Sequence, residues 1–235
     1  MFPEGVALNG KFNFKNQFLE SLEINTGHFI IATNSTDFTA DSYFQGLQLV
    51  TSFWEDRLVF FPAMYYFNNI PDVPDGNETY SLNYAIANIG FQIVMMKEKN
   101  IKLEVDFYQN LNNLSVNNFV SQVFRNQKKG IVTATGMGKL NKKGDWKTLV
   151  TYTYLERFAA VDFLAQNDWA RWDYSSQGSP DGRLTNFKGL ELMVGYALRE
   201  NMNLTMRFFT VNQLVSTGLK TETGNRIRLD FNIGF

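Results

Sequence analysis

Residues 225–235, NRIRLDFNIGF, alternate with a period of two. Ile227, Leu229, Phe231, Ile233 and Phe235 are apolar, whereas Arg226, Arg228, Asp230, Asn232 and Gly234 are charged, polar or small. Such alternation places the two sets on opposite faces of a β-strand. Chain ends usually fray, so a strand this regular, running to a final aromatic residue, must find something to hold its apolar face.

The same pattern recurs upstream. In IKLEVDFY (101–108), Ile101, Leu103, Val105 and Phe107 oppose Lys102, Glu104, Asp106 and Tyr108. In GLELMVGYAL (189–198), Leu190, Leu192, Val194, Tyr196 and Leu198 oppose Gly189, Glu191, Met193, Gly195 and Ala197. Period-two patterning predicts eleven strands, at 5–14, 18–33, 43–54, 58–67, 82–96, 101–108, 130–140, 146–158, 186–199, 203–214 and 225–235. Pro62 interrupts the fourth, because proline removes a ladder donor and points to an edge, a bulge or a false strand.

The connections alternate as well. KNQ, EDR, KEKN, NKKGD and ENM are short and polar, as tight hairpin links are. Between them lie long segments at 34–42, 68–81, 109–129, 159–185 and 215–224. Tight turns at one rim and long loops at the other, with strands of about ten residues, are the pattern of a transmembrane antiparallel up-and-down β-barrel.

Composition agrees with this reading. The 235 residues carry a formal net charge of −1, which gives nucleic acid no electrostatic footprint to bind. Aromatics reach 15%, with 22 Phe and 10 Tyr, a heavy load for a soluble domain. There is no run of 18 apolar residues to form a spanning helix, and no cysteine, hence no thiol nucleophile or zinc-thiolate site. A strand in hydrocarbon must pair every backbone group, so membrane strands close on themselves. Apolar side chains then face lipid and polar ones the lumen. This explains Lys102, Glu104 and Asp106 at mid-strand, where a sandwich core would reject them. Trp54 and Trp146 each abut a short turn, as an aromatic girdle at one interface requires.

The terminal alternation through Leu229, Phe231, Ile233 and Phe235 resembles the C-terminal signature of bacterial outer-membrane β-barrels. The tail DFLAQNDWARWDY, GLELMVGYALRENMNLTMRFF and NRIRLDFNIGF is similar to the closing strands of Gram-negative porins, more closely there than earlier in the chain. The resemblance implies a porin in the outer membrane that lets small hydrophilic solutes and ions diffuse passively. It also implies that the barrel-assembly machinery reads those four residues, that outer-membrane lipid surrounds the wall, and that a homo-oligomer forms. It brings no catalytic residue, metal or cofactor, so no enzyme is expected.

Residues 1–235 read as one barrel domain. Counting back from a periplasmic C-terminus, eleven strands start the chain on the outer side, whereas complete single-chain barrels have even strand numbers. This predicts the C-terminal part of a longer porin of about sixteen strands. The alternative is twelve strands, with Pro62 or VNNFVSQVF hiding one. Alternation assigns Lys11, Lys102, Lys147, Arg207, Arg226 and Arg228 to the lumen with Glu104, Asp106, Glu191 and Asp230. Six positive against four negative predicts slight anion preference, unless the charges pair across neighbouring strands and merely stiffen the wall.

Other constellations point elsewhere. His28 lacks a serine motif, so an interfacial role suits it better than hydrolysis. Asp72, Asp75, Asn77 and Glu78 miss the spacing of a calcium loop and read as a solvated turn. Asp168, Trp169, Trp172, Asp173 and Asp181 read as a surface loop in preference to an inward constriction. Gly136 and Gly138 lack the helix of a dinucleotide site and read as small lumenal residues. Two functions compete with the porin: a plugged barrel acting as scaffold in an envelope complex, and a soluble lipocalin-like barrel with its apolar face inward. Conductance separates the first, detergent dependence the second.

Overall fold

A computed structural model describes residues 4–15, 18–33, 40–71, 80–169, 181–182 and 184–234. It is all-β: β1 (Glu4–Asn13), β2 (Leu19–Ala32), β3 (Ser42–Phe53), β4 (Leu58–Phe60), β5 (Ala63–Pro71), β6 (Ser81–Met96), β7 (Ile101–Asn110), β8 (Lys129–Gly138), β9 (Trp146–Leu155), β10 (Phe187–Arg199), β11 (Met202–Gln213) and β12 (Thr223–Ile233). All twelve form one antiparallel sheet in sequential up-and-down order. Segments β4 and β5 are a single crossing of that sheet, both pairing β3 on one side and β6 on the other.

The break between them falls at Phe61 and Pro62. Proline cannot donate to the ladder, yet the crossing continues, because Phe61 N–H donates to Gly90 O at 2.8 Å and Pro62 O accepts from Leu49 N–H at 3.0 Å. Pro62 therefore interrupts a genuine interior strand, neither an edge nor a false one. The crossing also runs on to Pro71, past the expected end at residue 67. VNNFVSQVF hides no strand: it ends in a 3₁₀ turn at Gln122–Phe124 that buries Phe124. Eleven crossings stand, and among the described residues β1 pairs only with β2 and β12 only with β11.

Register sorts the side chains into two faces. On β10, Phe187, Gly189, Glu191, Met193, Gly195 and Ala197 are buried, while Lys188, Leu192 and Val194 between them are exposed. Following the paired residues from strand to strand extends both sets across the sheet. The first, here the inner face, is the one the long loops pack against. The outer face is a continuous apolar band in which Leu8, Leu47, Ile89, Phe107, Val150, Leu192, Met206 and Leu229 are all exposed.

Aromatic residues flank this band at both rims. At the short-link rim, Trp54 meets Phe18 edge-on at 5.3 Å and Trp146 packs on Tyr196 at 4.7 Å. At the long-loop rim lie Tyr43 and Tyr66, with ring centres 6.1 Å apart, and Tyr154. From Tyr43 to Phe53 the strand advances ten residues, about 34 Å along its axis and about 25 Å at a 40° tilt, the height of the apolar belt of a membrane barrel.

Candidate functional site

Every lumenal candidate read from the sequence falls on the inner face. Lys11 lies opposite Glu23. Glu104 continues through Ala134 and Thr151 to Glu191, Phe209 and Arg226 along one lateral row. Lys102 and Arg207 lie along the next row, and Asp230 and Lys147 along the one nearest the short links. Gly136 and Gly138 sit on the same face, between Lys102 and Lys147.

The structure brings only some of these groups together. Arg207 and Arg228 stand directly opposite in register, an arrangement that costs energy unless anions intervene. Three do. Glu191 accepts from Arg207 at 2.6 Å, and Asp230 accepts from Arg228 Nε at 2.7 Å and lies 3.9 Å from Arg207 Nε. The third is Asp168, whose carboxylate pairs with the Arg228 guanidinium and whose carbonyl accepts from Arg226 at 3.0 Å. Elsewhere the face is looser. Asp106 accepts from Asn88 Nδ2 at 3.2 Å, and Glu23 accepts from Asn9 at 2.9 Å.

Asp168 reaches those arginines because its loop folds inward, which corrects the surface-loop reading of Asp168 and Trp169. Trp169 is 3% exposed and packs on Phe187 and Phe209 of the inner face, at 5.4 and 5.2 Å between ring centres. Gly189 makes room for it, since a Cβ there would lie 2.8 Å from the indole. Residues 111–128 behave alike: Leu114, Val120 and Phe124 join inner-face Phe67, Tyr84 and Ile86 and loop residues Phe158 and Val161 in one buried cluster. Trp172, Asp173, Asp72, Asp75, Asn77 and Glu78 lie outside the described residues.

Buried polar clamps fix these loops. Arg157, 1% exposed, lies 3.8 Å from Asp162, whose Oδ1 also accepts from the backbone N–H of Leu184 and Thr185 and from the Thr185 hydroxyl at 2.6 Å. Asp181, also expected on a surface loop, is likewise buried. It accepts from Gln213 Nε2 at 2.8 Å and from the Thr217 hydroxyl at 2.6 Å, tying two loops to the end of β11. A buried carboxylate is tolerated only with such donors.

Sequence reasoning missed Glu23, Asn88 and the inward Asp168. Glu23 was within reach, because the parity that places Asn25 and Phe29 inward places it there too. Asp168 was not, since nothing periodic marks a loop that folds back. His28 points outward, its ring 5.1 Å from Tyr43 and Nδ1 3.1 Å from the Gln45 amide. Leu229, Phe231 and Ile233 are exposed on the outer face, Leu229 by 65%; Phe235 lies outside the described residues.

Compared with known proteins, residues 80–235 match a family model described as putative porin. No curated protein matches the chain.

Proposed function

This chain belongs to the putative porin family, and on that premise we propose that it forms the wall of a water-filled outer-membrane channel. Small hydrophilic solutes and ions diffuse passively along the inner face, and outer-membrane lipid covers the outer one. The observation that carries this reading is the parity of the sheet: ten charged residues from six strands share one face, while the other is an apolar band between two aromatic rims. A lipocalin-like reading inverts that assignment and leaves the apolar band in water.

The inner wall is close to charge balance. Glu23 and Asp168 join the four acids expected from sequence, so six cationic groups stand against six anionic ones, and selectivity is weak. Among the described residues, inward loops cover the inner face around β9–β11, whereas that of β1 is exposed at Ala7, Asn9, Lys11 and Asn13. Among the described residues β1 pairs only with β2 and β12 only with β11, and lipid tolerates no open edge; we propose that further strands of a longer barrel close the wall. Leu229, Phe231, Ile233 and Phe235 serve as the segment that the assembly machinery recognises, and lateral contacts between copies give a homo-oligomer.

Planar-bilayer recording of the detergent-extracted, full-length protein tests this. Stable ohmic steps with weak ion selectivity are expected; a bilayer that stays silent after verified insertion refutes the channel and favours the scaffold.

A further inference from the structure

Among the described strand residues, the long-loop end of the outer face carries one anion, Glu4 on β1, and two cations, Lys129 at the start of β8 and Lys188 near the start of β10. Both lysines are exposed. In register, Lys188 lies opposite Asn212 of β11 on one side and Tyr154 of β9 on the other. Tyr154 lies opposite Ile131, two residues along from Lys129 on the same face. Three neighbouring strands thus gather Lys129, Tyr154 and Lys188 at one rim.

The carboxylate beside them is engaged with other donors. Glu156 accepts from the Tyr154 hydroxyl at 3.1 Å through Oε1 and from the Lys129 backbone N–H at 2.6 Å through Oε2. It holds the tyrosine and the start of β8 in place, while among the described residues neither lysine ammonium makes a hydrogen bond or an ion pair. Two strand spacings and a two-residue offset put the lysine Cα atoms about 12 Å apart, near enough for two flexible four-carbon stems to reach one group between them. The opposed arginines of the inner face have carboxylates between them. These lysines have none, and like charges so placed draw a counter-anion. From Lys188 to Tyr196, which packs on Trp146 at the other rim, β10 advances about 27 Å along its axis and about 20 Å at a tilt of about 40°. The lysine backbone therefore stands within an apolar belt about 25 Å tall, and its stem carries the ammonium up to the headgroups.

We propose that Lys129, Tyr154, Lys188 and Asn212 form a site for the phosphate headgroup of a lipid in the leaflet at the long-loop rim. The two ammonium groups supply charge and donors, and the exposed Asn212 carboxamide adds a further donor. Tyrosine belongs at this level, where one end of its ring is apolar and the other wet. Toward mid-membrane the same face continues through Ile131, Tyr152 and Leu190, with Tyr152 43% exposed. Acyl chains lie on that surface. Soluble phosphate would meet the same lysines in water, where exposed ion pairs contribute little, whereas a lipid adds the contact of its chains and is held at the rim by the bilayer.

This assignment rests on the outer face meeting lipid, as the channel reading requires, and native mass spectrometry of the full-length protein in detergent tests it without any conduction. The probes are dioleoyl phosphatidic acid, dioleoyl phosphatidylcholine and inorganic phosphate. Lys129→Gln and Lys188→Gln each weaken retention of phosphatidic acid about fivefold, the equivalent of about 1 kcal/mol for one lysine at an anionic headgroup, and leave phosphatidylcholine unchanged. The parent protein holds phosphatidic acid about twentyfold more tightly than phosphatidylcholine, as two such lysines together imply, and inorganic phosphate does not displace it. Lys142→Gln removes the same charge in the β8–β9 link at the opposite rim and leaves retention at the parental level. Equal retention of the two lipids, displacement by inorganic phosphate, or an equal loss in Lys142→Gln overturns the site. Silent bilayers with selective retention that Lys188→Gln weakens retire the channel and keep the site. Conducting bilayers without lipid preference keep the channel and retire the site.

Discussion

The inner face of β9–β11 and that of β1–β3 are built on the same parity but end in different surroundings. Around β9–β11 the face is covered: Leu155, Phe187, Phe209 and Val211 are buried beneath Trp169 and its loop. Among the described residues it is less covered around β1–β3, with Ala7 and Asn9 exposed and Asn25 and Gln48 half-buried. The covered wall is apolar near the long-loop rim and the open wall is small and carboxamide-rich. An inward-facing aromatic in this sheet therefore has two meanings. Either a loop sits on it, as on Phe209, or it stays half-buried, as Phe29 does.

The contrast breaks most readily at the loop clamp. Asp162→Ala removes the carboxylate that lies 3.8 Å from the buried Arg157 and accepts from Leu184 and Thr185, and removing one partner of a buried pair typically costs about 3–5 kcal/mol. The expected result is a markedly lower unfolding midpoint in detergent and a larger, noisier single-channel conductance as the loop leaves the lumen. A midpoint close to that of the parent would show that the clamp does not hold the loop.

Trp169→Ala comes next. Truncating a buried tryptophan costs about 3–5 kcal/mol where the site cannot collapse, and inward packing of the loop lowers that toward the smaller figure. Asn25→Ala on the open wall changes stability by less than about 0.5 kcal/mol. Denaturant titration of both variants checks this; equal losses would erase the distinction between covered and open wall.

A smaller effect, on selectivity rather than stability, is expected for Asp168→Asn. The change leaves Arg226 and Arg228 facing the lumen with one anion fewer, so reversal potentials in a salt gradient move toward anions while single-channel conductance stays near the parental value. A shift toward cations would place Asp168 away from the permeation path.

The smallest effect belongs to Asp145 in the β8–β9 link. Backbone N–H groups of Lys142 and Asn141 donate to its Oδ2 at 2.9 and 3.0 Å, and the Lys142 bond foremost holds its carboxyl below the usual carboxylate range. A depressed carboxyl stabilises the fold above its unfolded-state pKa and ceases to do so as pH falls through the folded value. Asp145→Asn should slightly lower the unfolding midpoint at pH 7, with the difference from the parent fading as pH falls below about 4. An effect that grows on acidification would contradict this origin.

How much of this was legible in the sequence follows from where periodicity operates. Strands are read well because parity reports environment: Lys102, Glu104 and Asp106 alternate with Leu103, Val105 and Phe107, and register places them on opposite faces. Even the Pro62 strand survived, since its carbonyl and the neighbouring Phe61 N–H keep the ladder intact. Loops carry no such signal. Whether Trp169 points at solvent or at Phe209 depends on Gly189 leaving room beneath it, which is a property of the assembled sheet. Charge pairing was half legible: alternation places Arg207, Glu191, Arg228 and Asp230 on one face, but only register reveals that two arginines oppose each other and require anions between them. The grouping of Lys129, Tyr154 and Lys188 was invisible, because it takes one residue from each of three strands.

The central claim is that parity separates water from lipid, and thiol accessibility along β12 tests it most directly. The chain has no cysteine, so single variants Arg228→Cys, Leu229→Cys, Asp230→Cys and Phe231→Cys in lipid vesicles each report one position. A membrane-impermeant maleimide should label residues 228 and 230 and spare 229 and 231. Labelling of 229 and 231 with protection of 228 and 230 would turn the wall inside out and end the channel account.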